Sequence, residues 1–150
     1  MPAQQALLKK PEQALGRSRG GFSTKIHTVT DALGNPLDFI LTGGQVHDNQ
    51  QAQALLADKE TENVLADKAY DSDETIEFIE GNLNACAVIP SKANRIKQRP
   101  CDWHVYKERH LIECFIGKLK QFRRLFSRFD KLAHRFLSFI HLASTLIWLR

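Results

Sequence analysis

The segment from Tyr106 to Lys120, YKERHLIECFIGKLK, constrains the fold more than any other part of this 150-residue sequence. When the segment and the residues that follow it are placed on an α-helix, the apolar side chains gather within roughly 80° of one another. These side chains are Leu111, Phe115, Leu119, Phe122 and Phe126. Because such a face has to pack on a hydrophobic core, the pattern predicts a long amphipathic helix over residues 104–127.

The opposite face of this helix carries polar side chains within an arc of roughly 60°. They are Tyr106, Arg109, Glu113 and Lys120, with Gly117 between the last two. An acid flanked by two cations is able to bind a metal and phosphates, and Arg109 and Glu113 are also spaced for an ordinary surface salt bridge worth a few tenths of a kcal/mol. The spacing alone leaves both interpretations open.

The rest of the chain alternates between strand-like and helix-like patterns, and its length suffices for one domain with a hydrophobic core. The patterns predict strands at 23–31, 37–43, 63–66 and 85–90, a short helix ending at Ala57, and further helices at 71–83 and 131–149. Loops are expected at 1–21 and 91–103. A hairpin followed by β-α alternation predicts an α/β fold, in which helices flank one mixed sheet and two long helices end the chain.

Acidic residues stand where the predicted helices begin. Asp48 or Asn49 is placed to cap the short helix, and Asp71 with Glu74 has the spacing of a capping box before the next one. These side chains are expected to accept hydrogen bonds from free helical N–H groups.

The net charge of +4 conceals a basic segment. Residues 91–135 hold 13 Lys and Arg against 4 Asp and Glu, a local balance of +9. A surplus of this size favours a polyanionic partner, most simply DNA, and a solvated helical surface is the alternative.

The sequence does not indicate a membrane protein or a secreted protein. No stretch approaches the roughly 18 unbroken apolar residues of a membrane helix, and the N-terminus lacks the apolar run of a secretory signal. Three unevenly spaced cysteines without a CxxC pair predict reduced thiols. A cytoplasmic protein without a membrane partner is expected.

Asp67 and Glu113 are the candidate catalytic and metal-binding residues. Asp67 follows a predicted strand, and carboxylate oxygens suit Mg²⁺ or Mn²⁺. Around them, Arg109 is suited to clamp a phosphate, Lys120 to contact the DNA backbone, and Tyr106 to bind a phosphate or stack on an unpaired base. The alternative for Asp67 is a cap on the turn in ADKAYD.

Tyr106, Arg109, Glu113 and Lys120 match the pattern Y-x2-R-x3-E-x6-K without a departure, which resembles the signature of DDE transposases encoded by bacterial insertion sequences. Further segments resemble the insertion-sequence-five branch of that family, and the resemblance covers residues 11–150. These segments are GRSRGGFSTKIH (16–27), GGQVHD (43–48), ADKAYD (66–71) and IWLR (147–150).

The resemblance implies an RNase H-like fold in which two aspartates and one glutamate bind two Mg²⁺ (or Mn²⁺) ions. Asp67 would be the second aspartate and Glu113 the glutamate, while Tyr106, Arg109 and Lys120 would support them. The implied activity is hydrolysis of the phosphodiester at the element end, followed by strand transfer into target DNA.

The sequence departs from that family at the first aspartate, which should lie on an opening strand ahead of Pro11. MPAQQALLKK contains no Asp and no strand pattern, while Asp31 and Asp38 fit turn or strand-face roles. We therefore expect residues 22–150 to form a partial RNase H-like catalytic domain that lacks its first strand, as in a truncated and inactive transposase. The alternatives are a non-catalytic fragment that binds DNA or dimerises with a copy of itself or with a full-length transposase, and a decayed remnant.

Overall fold

A computed structural model describes residues 13–19 and 21–149 of the chain and shows a mixed α/β architecture with small sheets and several helices. Its strands are β1 (Gly16–Ser18), β2 (Gly21–Thr30), β3 (Pro36–Gly43), β4 (Asn63–Leu65) and β5 (Cys86–Val88). β1, β2 and β3 form an antiparallel sheet, and β4 and β5 form a separate parallel pair. The expectation of one mixed sheet is therefore not met in this part of the chain, because no described strand pairs with both β2 and β4.

The predicted hairpin is present as β2 and β3. Its turn is held by the Asp31 carboxylate, which accepts hydrogen bonds from the backbone N–H of Leu33 and Asn35, each at 2.8 Å. Gly34 takes the left-handed conformation that this turn requires, with φ at 83°.

The expectation of a loop over residues 1–21 is wrong at Gly16–Ser18, which forms β1. This strand pairs with the first residues of β2, and Gly21 permits the tight return with φ at 103°. Residues 1–12 and Gly20 lie outside the described part of the chain.

The helices are α1 (Ala52–Leu56), α2 (Asp73–Glu77, continued by a π-helical turn over Phe78–Asn82), α3 (Trp103–Tyr106), α4 (His110–Lys120), α5 (Arg123–Phe126) and α6 (Ala133–Trp148). A 3₁₀ turn, Lys107–Arg109, joins α3 to α4. The predicted helix over 104–127 is thus broken after Lys120, where Phe122 adopts an extended backbone. The break has a packing reason, since it turns Phe122 and the buried Leu125 onto the core.

Two hydrophobic clusters hold the fold, and the first confirms Phe115 and Leu119 of the predicted apolar face, whereas Phe126 of that face is exposed. Phe115 and Leu119 are buried in the first cluster with Phe39 of β3 and with Phe136 and Ile140 of α6. The second cluster joins α1, β4, α2 and the segment around β5 through Leu56, Val64, Ile76, Ile79 and Ile89. Burying each large side chain contributes about 1.5–3 kcal/mol, which outweighs the weak helix propensity of such short segments.

Both capping predictions are wrong. Asp48 makes an ion pair with Lys25 at 3.0 Å, and no side chain caps the 3₁₀ turn that begins with Asp48. Ser72 caps α2, while Asp71 is turned into the protein. There Asp71 accepts from the backbone N–H of Lys92 and from two arginines of the 91–103 segment, so this irregular loop is anchored to the domain.

Across residues 13–19 and 21–149, none of the helices has the length and hydropathy needed to cross a membrane.

Candidate functional site

A cavity of about 1400 Å³ lies between β2, β4 and α4, and we call it the central cavity. Asp67, Arg109, Glu113 and Lys120 all line it, so four of the five candidate residues border the same cavity. Tyr106 lies beside the cavity. Its ring packs edge-on against Trp103 at 5.5 Å, and the Arg109 guanidinium lies 5.5 Å from its centroid.

Asp67 stands two residues after β4, at the carboxyl end of the strand. Its Oδ1 accepts a hydrogen bond from the backbone N–H of Ala69 at 2.8 Å and so caps the 3₁₀ turn Lys68–Tyr70. The capping role considered from the sequence is therefore present. It engages one carboxylate oxygen of an exposed side chain, which leaves the group accessible for a second role.

Arg109 and Glu113 form the ion pair that their spacing allows, with Arg109 Nη2 donating to Glu113 Oε1 at 2.7 Å. Burial acts to lower the pKa of Arg109, but the hydrogen bond to Glu113 and the charges of Glu113 and Asp67 outweigh it, so the pKa is raised. One guanidinium therefore lies within the electrostatic reach of both carboxylates. Its buried Nε has no hydrogen-bond partner among the described residues.

A second polar group borders the central cavity, and its members Lys25 and His27 were not among the residues predicted from the sequence. Lys25 Nζ donates to Val46 O at 2.7 Å as well as to Asp48, and the buried His27 bonds to Thr42 Oγ1 at 2.7 Å. Both lie on β2 within GRSRGGFSTKIH, and Asp48 ends GGQVHD, so these motifs were the available signal.

Tyr70 lies within the electrostatic reach of Asp48, which belongs to this group, and of Asp67. Burial, followed by the nearby carboxylates of Asp48 and Asp67, raises the pKa of Tyr70 to about 12. The phenol therefore stays protonated at neutral pH.

The sequence resemblance implies a Mg²⁺ or Mn²⁺ ion, and the side chains around the cavity decide whether such an ion fits. Among the described residues, no three His, Cys, Asp or Glu side chains come together as a metal-binding group. Asp67 and Glu113 offer the hard oxygens that Mg²⁺ prefers, and Mg²⁺ is commonly held by one or two carboxylates together with substrate phosphates. The two residues fit an ion that is shared with a phosphate, whereas they do not make a closed protein cage.

The Lys and Arg side chains of the basic segment 91–135 fall into two groups: those that are bonded within the protein and those that are available to a partner. Five arginines are engaged within the protein: Arg95, Arg99, Arg109, Arg124 and Arg128. The other eight Lys and Arg residues of the segment have no side-chain ion pair or hydrogen bond within the part of the chain that the structure describes. One of them, Lys120, lines the central cavity. The available positive charge is thus carried mainly by lysines.

Comparison with known proteins assigns the family. The family model described as "Transposase DDE domain" matches residues 7–148. The chain is also 46% identical over 130 residues to a Brucella ovis protein named "Putative transposase for insertion sequence element IS6501". That alignment covers 86% of this chain and 100% of the relative. No solved structure matches the chain.

Proposed function

The chain belongs to the transposase DDE domain family, and from this premise we propose that it is the catalytic-domain portion of an insertion-sequence transposase. Its substrate would be DNA, at the ends of the element and in the target. The reaction would be metal-dependent phosphodiester hydrolysis followed by strand transfer. The observation that carries the proposal is the position of Asp67 and Glu113, which line one cavity together with Arg109 and Lys120.

Asp67 and Glu113 would hold Mg²⁺ or Mn²⁺ with the help of a DNA phosphate. When bound, such an ion supplies positive charge to the phosphodiester oxygens. The protein's own contribution is to present two accessible carboxylates in a cavity with apolar walls.

The neighbouring cations would position the DNA. Arg109 is suited to bind a phosphate once its hydrogen bond to Glu113 is broken, because its guanidinium can donate to two oxygens at once. Lys120, which is exposed and without a bonded partner among the described residues, would contact the backbone as a point charge. Tyr106 would support Arg109 through the ring contact.

We further propose that the domain is RNase H-like and that the sequence lacks the first aspartate of the family's metal site, since no Asp precedes Asp31. The absence of a group of three metal-binding side chains among the described residues supports this proposal. On this basis the chain alone does not cleave DNA.

The experiment measures metal binding and cleavage separately. Mn²⁺ titration followed by electron paramagnetic resonance, with a short DNA duplex present, is expected to show binding that weakens at least tenfold in Asp67→Asn and in Glu113→Gln. Glu80→Gln, at an exposed carboxylate that does not line the central cavity, is the matched control and should bind as the wild type does. Unchanged Mn²⁺ affinity in both variants would refute the assignment of the two residues.

Cleavage of a labelled terminal-repeat duplex is expected not to exceed that of the Glu113→Gln variant. Cleavage by the wild type that disappears in both site variants would show that the chain is a complete enzyme and would refute the proposed missing aspartate.

The second candidate function is a non-catalytic regulator that binds DNA or pairs with a full-length transposase. The eight available cations favour it, as does the absence of a group of three metal-binding side chains among the described residues. It predicts that the chain inhibits cleavage by an added full-length transposase of the same element, and that Glu113→Gln inhibits equally. Inhibition that depends on Glu113 would instead favour the catalytic role.

A further inference from the structure

The turn between α5 and α6 leaves two aromatic side chains in water. Phe126, the last residue of α5, is 73% exposed, and Phe129, in the middle of the turn, is 64% exposed. Neither ring lies against another aromatic ring or a guanidinium group within the part of the chain that the structure describes. Two large apolar side chains thus forgo the stabilisation that burial would give them, and their ring faces are open to a ligand.

The arginines of the same turn are bonded to the protein instead. Arg128 Nη2 donates to Gln13 O at 2.6 Å, and its Nη1 donates to Ala14 O at 2.9 Å. Arg124 donates to Asp130 from Nε at 2.9 Å and from Nη2 at 2.8 Å. The turn therefore reverses the usual partition, in which arginine is exposed and phenylalanine is buried. Because these bonds hold the turn in place, a ligand of the exposed rings would not have to order it.

The surface around the turn is positively charged. Residues 121–135 hold five Lys and Arg against one acid, Asp130, whose charge is already compensated by Arg124. Arg123, Lys131 and Arg135 are exposed and have no side-chain ion pair or hydrogen bond among the described residues. A partner of this surface is therefore expected to carry negative charge.

Unpaired nucleotides combine the two properties that the turn requires. Each base offers a flat face that stacks on an aromatic ring, and each linkage carries a phosphate for the cations. Bases within a duplex do not offer their faces, because the adjacent base pairs cover them. An apolar protein surface would match the rings and leave the surplus of positive charge without a counterpart.

We propose that Phe126 and Phe129 form a stacking site for single-stranded DNA, whose phosphates are contacted by the three exposed cations around the turn. The site is separate from the central cavity, since none of residues 121–135 lines that cavity. It rests on the proposed function for DNA as the partner and adds to it the recognition of unpaired bases, which needs no metal.

The probe is a fluorescein-labelled oligothymidylate of about 12 nucleotides, within the range that such surfaces cover. Fluorescence anisotropy measures its affinity for the full chain without divalent metal, and a blunt duplex of the same length is measured in parallel. Saturable binding of the oligonucleotide is expected. Replacing both rings, in Phe126→Ala/Phe129→Ala, should weaken it at least tenfold and change the affinity for the duplex less than twofold.

Two further double variants separate stacking from apolar contact. Phe126→Leu/Phe129→Leu keeps most of the apolar surface without the rings and should bind as weakly as the alanine protein. Phe126→Tyr/Phe129→Tyr keeps the rings and should bind within twofold of the wild type. Leu33→Ala, at an 80% exposed apolar residue of the β2–β3 turn, is the control and should leave the affinity unchanged.

A photochemical cross-link locates the contact on the wild-type protein. An oligonucleotide with 5-iodouracil in place of one thymine is irradiated in the complex, which joins the base to a ring stacked on it. Trypsin cleaves after Arg124, Arg128 and Lys131, so that Phe126 lies in the peptide 125–128 and Phe129 in the peptide 129–131. Mass spectrometry is expected to find the cross-link in these peptides.

Three results would overturn the proposal: no saturable binding of the oligonucleotide, equal affinity of the wild-type and alanine proteins, or cross-links confined to other peptides. A dimer of the chain that the alanine replacements dissociate would assign the rings to a contact between two copies and would also overturn it. The Mn²⁺ titration at Asp67 and Glu113 does not involve this turn, so failure of the stacking site is distinguishable from failure of the proposed function.

Discussion

Arg109 and Glu113 are joined by a hydrogen bond of 2.7 Å on the wall of the cavity that also holds Asp67. The positive charge of the guanidinium offsets the negative charges of Glu113 and Asp67, both of which act on it. The same contact occupies an oxygen that a metal would use. In the proposed metal role of Glu113, Arg109 and a divalent ion would therefore compete for its carboxylate.

Replacing Arg109 by glutamine should strengthen Mn²⁺ binding by about three- to tenfold, because it frees Glu113 and removes a repelling cation. The Mn²⁺ titration described above, repeated without the DNA duplex, measures this change. Arg124→Gln is the control, since it removes an equal charge from a guanidinium that pairs with Asp130 at 2.8 Å outside the central cavity. Equal Mn²⁺ affinities in the two variants would contradict the competition.

The sequence predicted those parts of the molecule that depend on local periodicity. The burial of Phe115 and Leu119 followed from the helical spacing, and so did the shared polar face of Arg109 and Glu113. The sequence did not predict the role of Asp71, because its partners Arg95 and Arg99 lie 24 and 28 residues away in a segment without periodicity. The division into two sheets was also hidden, since a strand pattern does not say which other strand will pair with it.

DNA binding should be largely nonspecific and steeply dependent on salt. With several phosphate contacts from the basic segment, the affinity is expected to fall by orders of magnitude between about 50 and 200 mM salt. Lys120→Gln should reduce the slope of log affinity against log salt by about 0.9, as the loss of one phosphate contact requires.

The same Arg124→Gln control should leave that slope nearly unchanged, because its guanidinium is already engaged by Asp130. Anisotropy titrations of a labelled duplex at four salt concentrations provide the slopes. A flat salt dependence, or a strong preference for one sequence, would contradict this prediction.

Asp71 is expected to stabilise the fold by anchoring the 91–103 loop. Its side chain is 1% exposed and accepts from Arg95 Nε at 3.0 Å, from Arg99, and from Lys92 N at 2.7 Å. Asp71→Asn would leave two guanidinium groups without their shared counter-charge and should lower the free energy of unfolding by about 2–3 kcal/mol. Asp73→Asn, at an exposed acid that also contacts Arg95, should cost less than about 1 kcal/mol. Urea unfolding of the wild type, Asp71→Asn and Asp73→Asn measures these free energies.

The effect of Asp71 should also depend on pH. Burial tends to raise the pKa of Asp71, but the hydrogen bonds from Lys92, Arg95 and Arg99 outweigh it and hold the pKa below its ordinary value. A lowered pKa in the folded state stabilises the fold above the unfolded value of about 3.9, and the stabilisation is lost as the pH falls through the folded value. The stability difference between wild type and Asp71→Asn should therefore be constant from about pH 5 to 7 and shrink below pH 4. A difference that persists unchanged at about pH 2.5 would contradict this origin.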